Sequence, residues 1–263
     1  MHNPLCPIKI KKTQILKMKY SLIIASLLLA FQKCNKDSKI LNQLISEKDI
    51  IVYYPFLGNA KDKSSNRKRK NKGIVIGAKL TEDRNGQKKS AYYFDGEDNV
   101  IQIKRDERFT LEKSGAIMLW LKPEYTGKNV SILSNGTSNS PKENCYNLVL
   151  NRYSNKWEIL AYIGGQQANK RPNPILHDYN EWYFLVYQWE KKGDVSLFVN
   201  GNLEFKEKLL SSPDPEINTE LRIGQLSRSF FKGAIDELII CKRVFSEIEI
   251  KEIFAQTSGQ MEN

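Results

Sequence analysis

Apolar residues in this chain come in short runs broken by polar and turn-forming residues, and this pattern predicts strands far more often than helices. Residues 50–56, 89–94, 100–103, 115–123, 146–150, 157–163, 182–189, 195–199, 203–205 and 221–223 each read as a strand, and 234–241 as a last, buried one. The 115–123 run is apolar on both faces and stops at Pro123. Asn200-Gly201 sits between two of these runs and is a strong hairpin signal. One helix is predicted near the C-terminus. Ser246 and Glu249 have capping-box spacing, Phe245 and Ile250 are placed for a hydrophobic staple, and Ile250, Ile253 and Phe254 form one apolar stripe. Short strands, frequent turns and a single short helix predict an all-β, two-sheet antiparallel sandwich. Residues 50–256 read as one domain and 257–263 as a tail.

Composition changes the picture only once it is located. With 263 residues, 40% hydrophobic and 10% aromatic, the chain has enough apolar surface for a sizeable core. The net charge of +11 resembles a nucleic-acid signature, but it is concentrated in two places. Residues 1–34 hold six lysines and no acid; residues 61–72 hold seven cations against Asp62. The remainder is close to neutral. The 61–72 loop is a solvated loop or a contact for an anionic glycan or lipid headgroup. It carries no interleaved aromatic residues, which argues against single-stranded nucleic acid.

The N-terminal pattern is that of a targeting segment. Lys17 and Lys19 precede the apolar run 20–31, which is short of the ~20 residues that span a bilayer and reads as a secretory signal. Met18 is a natural start, so residues 1–34 are taken as leader. Cys34 follows the run and resembles the acylated cysteine of a bacterial lipoprotein, although Gln32 and Lys33 stand where small residues are usual. That resemblance implies an exported protein held at the outer membrane or cell surface of a Gram-negative bacterium by a lipid anchor. The alternative is an ordinary signal peptide or an uncleaved anchor, with Cys34 incidental. Residues 35–49 read as a polar tether that the fold does not need. Cys145 and Cys241 are either paired or two buried free thiols, since spacing does not fix connectivity.

Several pieces occur in a specific order: 53–62 (YYPFLGNAKD), 90–98 (SAYYFDGED), Trp182-Tyr183, 199–201 (VNG), 221–224 (LRIG) and 231–237 (FKGAIDE). Together they resemble the laminin-G-like, concanavalin A-like jelly roll of bacterial secreted proteins, over roughly 50–255. The resemblance implies a recognition module, with carbohydrate the expected ligand and adhesion the broad role. It also implies one structural calcium near the last strand, with Asp62, Asn66 or Asn71, and Asp236 as ligands. Two departures stand out. The 63–72 stretch is longer and more basic than the Gly/Asn-rich loop usual there, and Phe184 replaces a frequent histidine.

Asp236 shares strand parity with Leu238 and Ile240, which directs a carboxylate where core residues point. A buried carboxylate requires a cation, a hydrogen-bond cluster or a metal, so pairing with amides or with a loop cation stands beside the calcium reading. For carbohydrate, Trp157, Tyr162, Tyr187 and Trp189 are candidate stacking residues, although aromatic residues on two-sided apolar strands commonly belong to the core.

Catalysis is not predicted. Hydrolases of this jelly roll carry strand carboxylates resembling Glu-Ile-Asp-Ile-x-Glu, and the local match, 247–252 (EIEIKE), lies in the capped helix. His2 and His177 are the two histidines, and no nucleophile motif accompanies His177. A glycoside hydrolase or lyase on the same fold, and a structural or protein-interaction spacer, are the competing functions. The sequence leaves the oligomeric state open.

Overall fold

The computed structural model describes residues 44–65, 71–111, 113–136, 144–164, 166–168, 175–191, 193–208 and 219–258. The leader with Cys34, and Asn66 of the calcium expectation, lie outside the described residues. The first strands are β1 (Ile50–Tyr54), β2 (Ile74–Ile76), β3 (Lys79–Thr81), β4 (Ala91–Asp95), β5 (Val100–Ile103) and β6 (Ser114–Pro123). Then come β7 (Val130–Gly136), β8 (Asn144–Tyr153), β9 (Lys156–Ile163), β10 (Gln166–Gln167), β11 (His177–Asp178) and β12 (Tyr183–Glu190). The chain continues through β13 (Asp194–Val199), β14 (Asn202–Lys208), β15 (Leu221–Ile223), the small hairpin β16 (Gln225–Leu226) and β17 (Ser229–Phe230), and β18 (Lys232–Cys241). The helix α1 (Glu247–Thr257) follows.

Apart from the β16–β17 hairpin, these strands make two antiparallel sheets. The first has the order β14-β13-β12-β6-β18-β4-β3, with β1 also on β18; the second runs β10-β9-β8-β7-β15-β5-β2, with β11 also on β9. From β4 onward the chain passes repeatedly between the sheets, β4 to β5, β5 to β6, β6 to β7, β15 to β18. The result is a concanavalin A-like jelly-roll sandwich. β7 is the longest of the strands the apolar pattern does not predict, the others being the short β2, β3, β10, β11, β16 and β17. In β7, Ser131, Ser134 and Asn135 are buried polar residues, so it lacks an apolar run although it sits in the middle of the second sheet.

There are two cores. One fills the space between the sheets, with Leu119, Leu121, Leu148, Ile159, Tyr187, Trp189, Ile235, Leu238 and Ile240 among its members. The other lies on the outer face of the first sheet, where Met118, Trp120, Phe184, Val186, Phe198 and Ile239 pack with Phe245, Ile250 and Ile253. α1 therefore covers that face. Its start is fixed as the spacing predicts: Ser246 Oγ accepts from Glu249 N, and Glu249 accepts from Ser246 N in return. Gln188 on β12 adds a second lock, donating to Phe245 O at 2.9 Å and accepting from Phe245 N at 2.8 Å. Both backbone groups before the helix are thus satisfied in a buried place.

The second core revises both ends of the domain. Ile45 is completely buried within it and Leu44 packs against it, so the fold begins inside the stretch expected to be a dispensable tether. At the other end Thr257 is buried, so the expected tail starts one residue too early.

β18 is bulged. Asp236 pairs with Trp120 and Ile239 with Met118, leaving Glu237 and Leu238 opposite one residue of β6, and Glu237 sits at φ 48°. One extra residue reverses the alternation beyond it. Asp236 therefore lies on the face of Trp120, beneath the helix, and not with Leu238 and Ile240 in the inter-sheet core. It is buried nonetheless, because the helix covers this face. Gly233, at φ 134°, lets β18 pass close to β6: a Cβ there would lie 2.2 Å from Lys122 O.

Candidate functional site

With α1 covering the apolar cluster on the outer face of the first sheet, the outer face of the second sheet is the one no helix covers among the described residues. The cross-strand register sets one row across six strands: Tyr162 on β9, Asn147 on β8, Ser134 on β7, Arg222 on β15, Gln102 on β5 and Ile74 on β2. Each neighbour pair is directly opposed, so the side chains share one face. At ~4.8 Å between strands the row is about 24 Å long. Asn147 and Ser134 are buried; Tyr162, Arg222 and Gln102 are half-buried and Ile74 is exposed. A polar centre with accessible flanks results.

These polar groups are held in place. Ser131 Oγ donates to Asn147 Oδ1 at 2.7 Å, Ser134 Oγ to Gln225 O at 2.9 Å, and Asn151 Nδ2 to Glu158 Oε1 at 2.8 Å. Arg222 binds Glu220 through Nε at 2.7 Å and reaches Gln225 Oε1 at 3.2 Å. Burial raises the Tyr162 phenol above its ordinary value, which keeps it a neutral O–H. The hydroxyl and amide of Ser134 and Asn147 are thus buried and bonded internally, and the accessible groups of the row are the Tyr162 ring, the Arg222 guanidinium and the Gln102 amide.

Of the aromatic residues expected to stack on sugars, Tyr162 alone is on this face. Trp157, Tyr187 and Trp189 are completely buried in the inter-sheet core. Parity explains the difference. On β9, Tyr162 and Trp157 are five residues apart and point to opposite sides; on β12, Tyr187 and Trp189 share the inner side. Their polar atoms are used inside: Trp157 Nε1 donates to Asp178 O and Trp189 Nε1 to Leu111 O. Of the residues sequence reasoning missed, Asn147, Arg222 and Gln102 are each one polar position flanked by apolar ones, a pattern that marks the outer face of any half-buried strand, while Ser134 is followed by the polar Asn135.

The expected calcium ligands are occupied otherwise. Asp62 is buried and accepts backbone amides, Tyr53 N at 3.2 Å and Ser64 N at 2.9 Å through Oδ1, and Asn71 N at 3.4 Å through Oδ2. Asn71 Nδ2 donates to Asp106 at 3.0 Å. Asp236 is bound by a guanidinium: Arg84 Nη1 lies 2.6 Å from Asp236 Oδ2, and Arg84 Nη2 lies 2.8 Å from Glu237 Oε2. Burial and the neighbouring Glu237 push the Asp236 carboxyl upward, and Arg84 opposes them. Asp236 Oδ1 is buried without a hydrogen-bond partner. One such oxygen falls short of the six to eight that calcium takes, and Arg84 already holds an oxygen of each carboxylate. Among the described residues no group of three or more His, Cys, Asp or Glu is arranged to hold a metal. These residues do not fit calcium.

The basic loop is described at its two ends, where Lys61 and Lys72 form an isolated bridge. Cys241 is a free, buried thiol, and burial raises it to about 12. The 247–252 stretch is helical, as the capping box predicts. His177 lies against Trp157, with ring centroids 4.8 Å apart, and its Nε2 is 3.6 Å from Glu204. Among the described residues, no helix is long and apolar enough to cross a membrane.

Comparison with known proteins agrees with this architecture. The family described as the concanavalin A-like lectin/glucanases superfamily matches residues 95–251. No curated protein matches the chain in sequence. Among solved structures, domain 4 of AbnA, an extracellular arabinanase from Geobacillus stearothermophilus, in complex with arabinotriose, is similar at 16% identity and TM-score 0.58. The match covers 78% of this chain and 98% of that one. The receptor-binding domain of a botulinum neurotoxin C/D mosaic serotype is similar at 13% identity and TM-score 0.59, over 80% of this chain and 52% of that one. The binding domain of botulinum neurotoxin DC in complex with SialylT matches at 14% identity and TM-score 0.56, over 79% and 51%. The chain thus spans about half the length of the toxin binding domains it resembles.

Proposed function

The chain belongs to the concanavalin A-like lectin/glucanases superfamily, and on that premise we propose that it is a non-catalytic module that recognises carbohydrate through the outer face of its second sheet. One observation carries this reading: the two outer faces are unequal. α1 and its apolar residues cover the middle of one, while the other exposes Tyr162, Arg222 and Gln102, register-aligned on either side of the buried Asn147 and Ser134. Amide and guanidinium groups match the paired hydroxyls of a sugar, and the ring of Tyr162 suits the apolar side of a pyranose or furanose. A row about 24 Å long accommodates several sugar units of an extended chain. The complexes of similar binding domains with arabinotriose and SialylT support a glycan as the ligand class.

The hydrolase reading requires two free carboxylates facing one cleft, about 5–9.5 Å apart. On this face Glu158 accepts from Asn151, and Asp178 is ion-paired with Lys156 at 3.0 Å. The arrangement favours binding over bond cleavage. We further propose that the module is exported and held at a membrane through Cys34; its support is the apolar run 20–31 just before that cysteine. Titration with arabino-oligosaccharides and sialylated oligosaccharides tests the ligand class. Saturable binding that Tyr162→Ala weakens at least tenfold, with an unchanged melting curve, is expected. Binding that ignores Tyr162 would place the site elsewhere.

A further inference from the structure

Arg84 lies in the loop between β3 and β4, and its side chain is 4% exposed. Its guanidinium joins three parts of the fold. Nε donates to Thr257 O at the end of α1 at 2.8 Å. Nη1 and Nη2 take one oxygen each from Asp236 and Glu237 on the β18 bulge, and the guanidinium carbon lies 4.6 Å from the ring centroid of Trp120 on β6. Tyr53 Oη donates to the other Glu237 oxygen at 3.3 Å, bringing in β1. The bulge matters here: by reversing parity after Asp236 and placing Glu237 at φ 48°, it aims two consecutive carboxylates at one cation. A planar fork with donors on several edges satisfies such a set better than an ammonium does, and a cation at a helix C-terminus meets the negative end of the dipole.

We propose that Arg84 is the built-in cation of this fold, neutralising Asp236 and Glu237 where the resemblance leads one to expect calcium, so that the β3–β4 loop, β18 and α1 are closed without a divalent ion. Removing the guanidinium would leave the Asp236 and Glu237 carboxylates and the Thr257 carbonyl around a void that Asp83 also lines. That is an oxygen-only donor set of the kind a divalent cation selects. The substitution therefore converts a metal-indifferent protein into a calcium-dependent one.

The test is thermal melting of the wild-type chain and Arg84→Ala, each in calcium and in chelator. The wild type should melt at the same temperature in both. Arg84→Ala should melt about 10 °C lower in chelator, because a buried charge cluster loses its partner, and recover several degrees in calcium by mass action. A wild type that loses stability in chelator overturns the proposal, as does an Arg84→Ala protein equally stable in both buffers. If Arg84→Ala fails to fold, Arg84→Lys carries the test. Lysine keeps the charge and loses the fork, so it should melt lower than wild type and stay indifferent to calcium; calcium dependence or a wild-type melting temperature would refute the assignment.

Discussion

Ile45→Ala probes the N-terminal edge of the domain, five residues before the first strand. Ile45 is completely buried with Met118, Trp120, Phe245, Ile250 and Ile253 in the cluster beneath α1. Truncating a buried isoleucine to alanine costs about 2–5 kcal/mol, the transfer of the lost methyl and methylene groups plus the cavity they leave. The site is at the end of a chain segment and can partly collapse, so about 2–3 kcal/mol is expected. For a domain near two hundred residues, each kcal/mol lowers the melting temperature by ~2–4 °C, giving a fall of about 4–12 °C. Urea unfolding of wild type and variant should show a lower midpoint with an unchanged slope. Glu47→Ala, at an exposed neighbour, is the control and should stay within about 0.5 kcal/mol. An Ile45→Ala protein as stable as that control would refute the claim that the second core begins before β1.

Two further outcomes are expected. Burial raises the Asp106 carboxyl, but the bonds from Arg108 and Asn71 outweigh it and leave it at about 2. A carboxylate held low in the folded state stabilises above its ordinary value near 4, and this stabilisation fades as pH falls from there through about 2. Asp106→Asn should flatten that part of the acid-unfolding curve; parallel curves for variant and wild type would contradict the assignment. Metabolic labelling with a palmitate analogue should mark the wild type and leave Cys34→Ala unmarked, and label on both would end the lipid-anchor reading.

What the sequence discloses and what it hides have separate physical causes. Local signals are legible. Ser246 and Glu249 announce the helix start, Asn200-Gly201 announces the β13–β14 hairpin, and the apolar runs give most strands. Signals that depend on a distant partner are not. The bulge at Glu237 cannot be read from 232–241, because the extra residue is defined by what β6 places opposite it; without it, Asp236 is assigned to the wrong side of the sheet. Arg84 and Asp236 are 152 positions apart, and nothing local marks Arg84 as buried. The same limit applies to the candidate site. Aromatic residues attract attention in a strand, yet Trp157, Tyr187 and Trp189 point inward, while the outward Asn147, Ser134, Arg222 and Gln102 become a row only once six strands are in register. β7 escapes the apolar pattern because its Ser131, Ser134 and Asn135 are polar where they are buried.

The central claim, that the outer face of the second sheet recognises carbohydrate, is tested most directly on a glycan array. Wild type, Tyr162→Ala and Gln102→Ala are compared, each in calcium and in chelator. The wild type should bind at least one glycan class equally in both buffers, and each substitution should lower that signal at least tenfold while leaving the melting temperature within a few degrees. A wild type that binds no glycan in either buffer, or binding that survives both substitutions, would contradict the account.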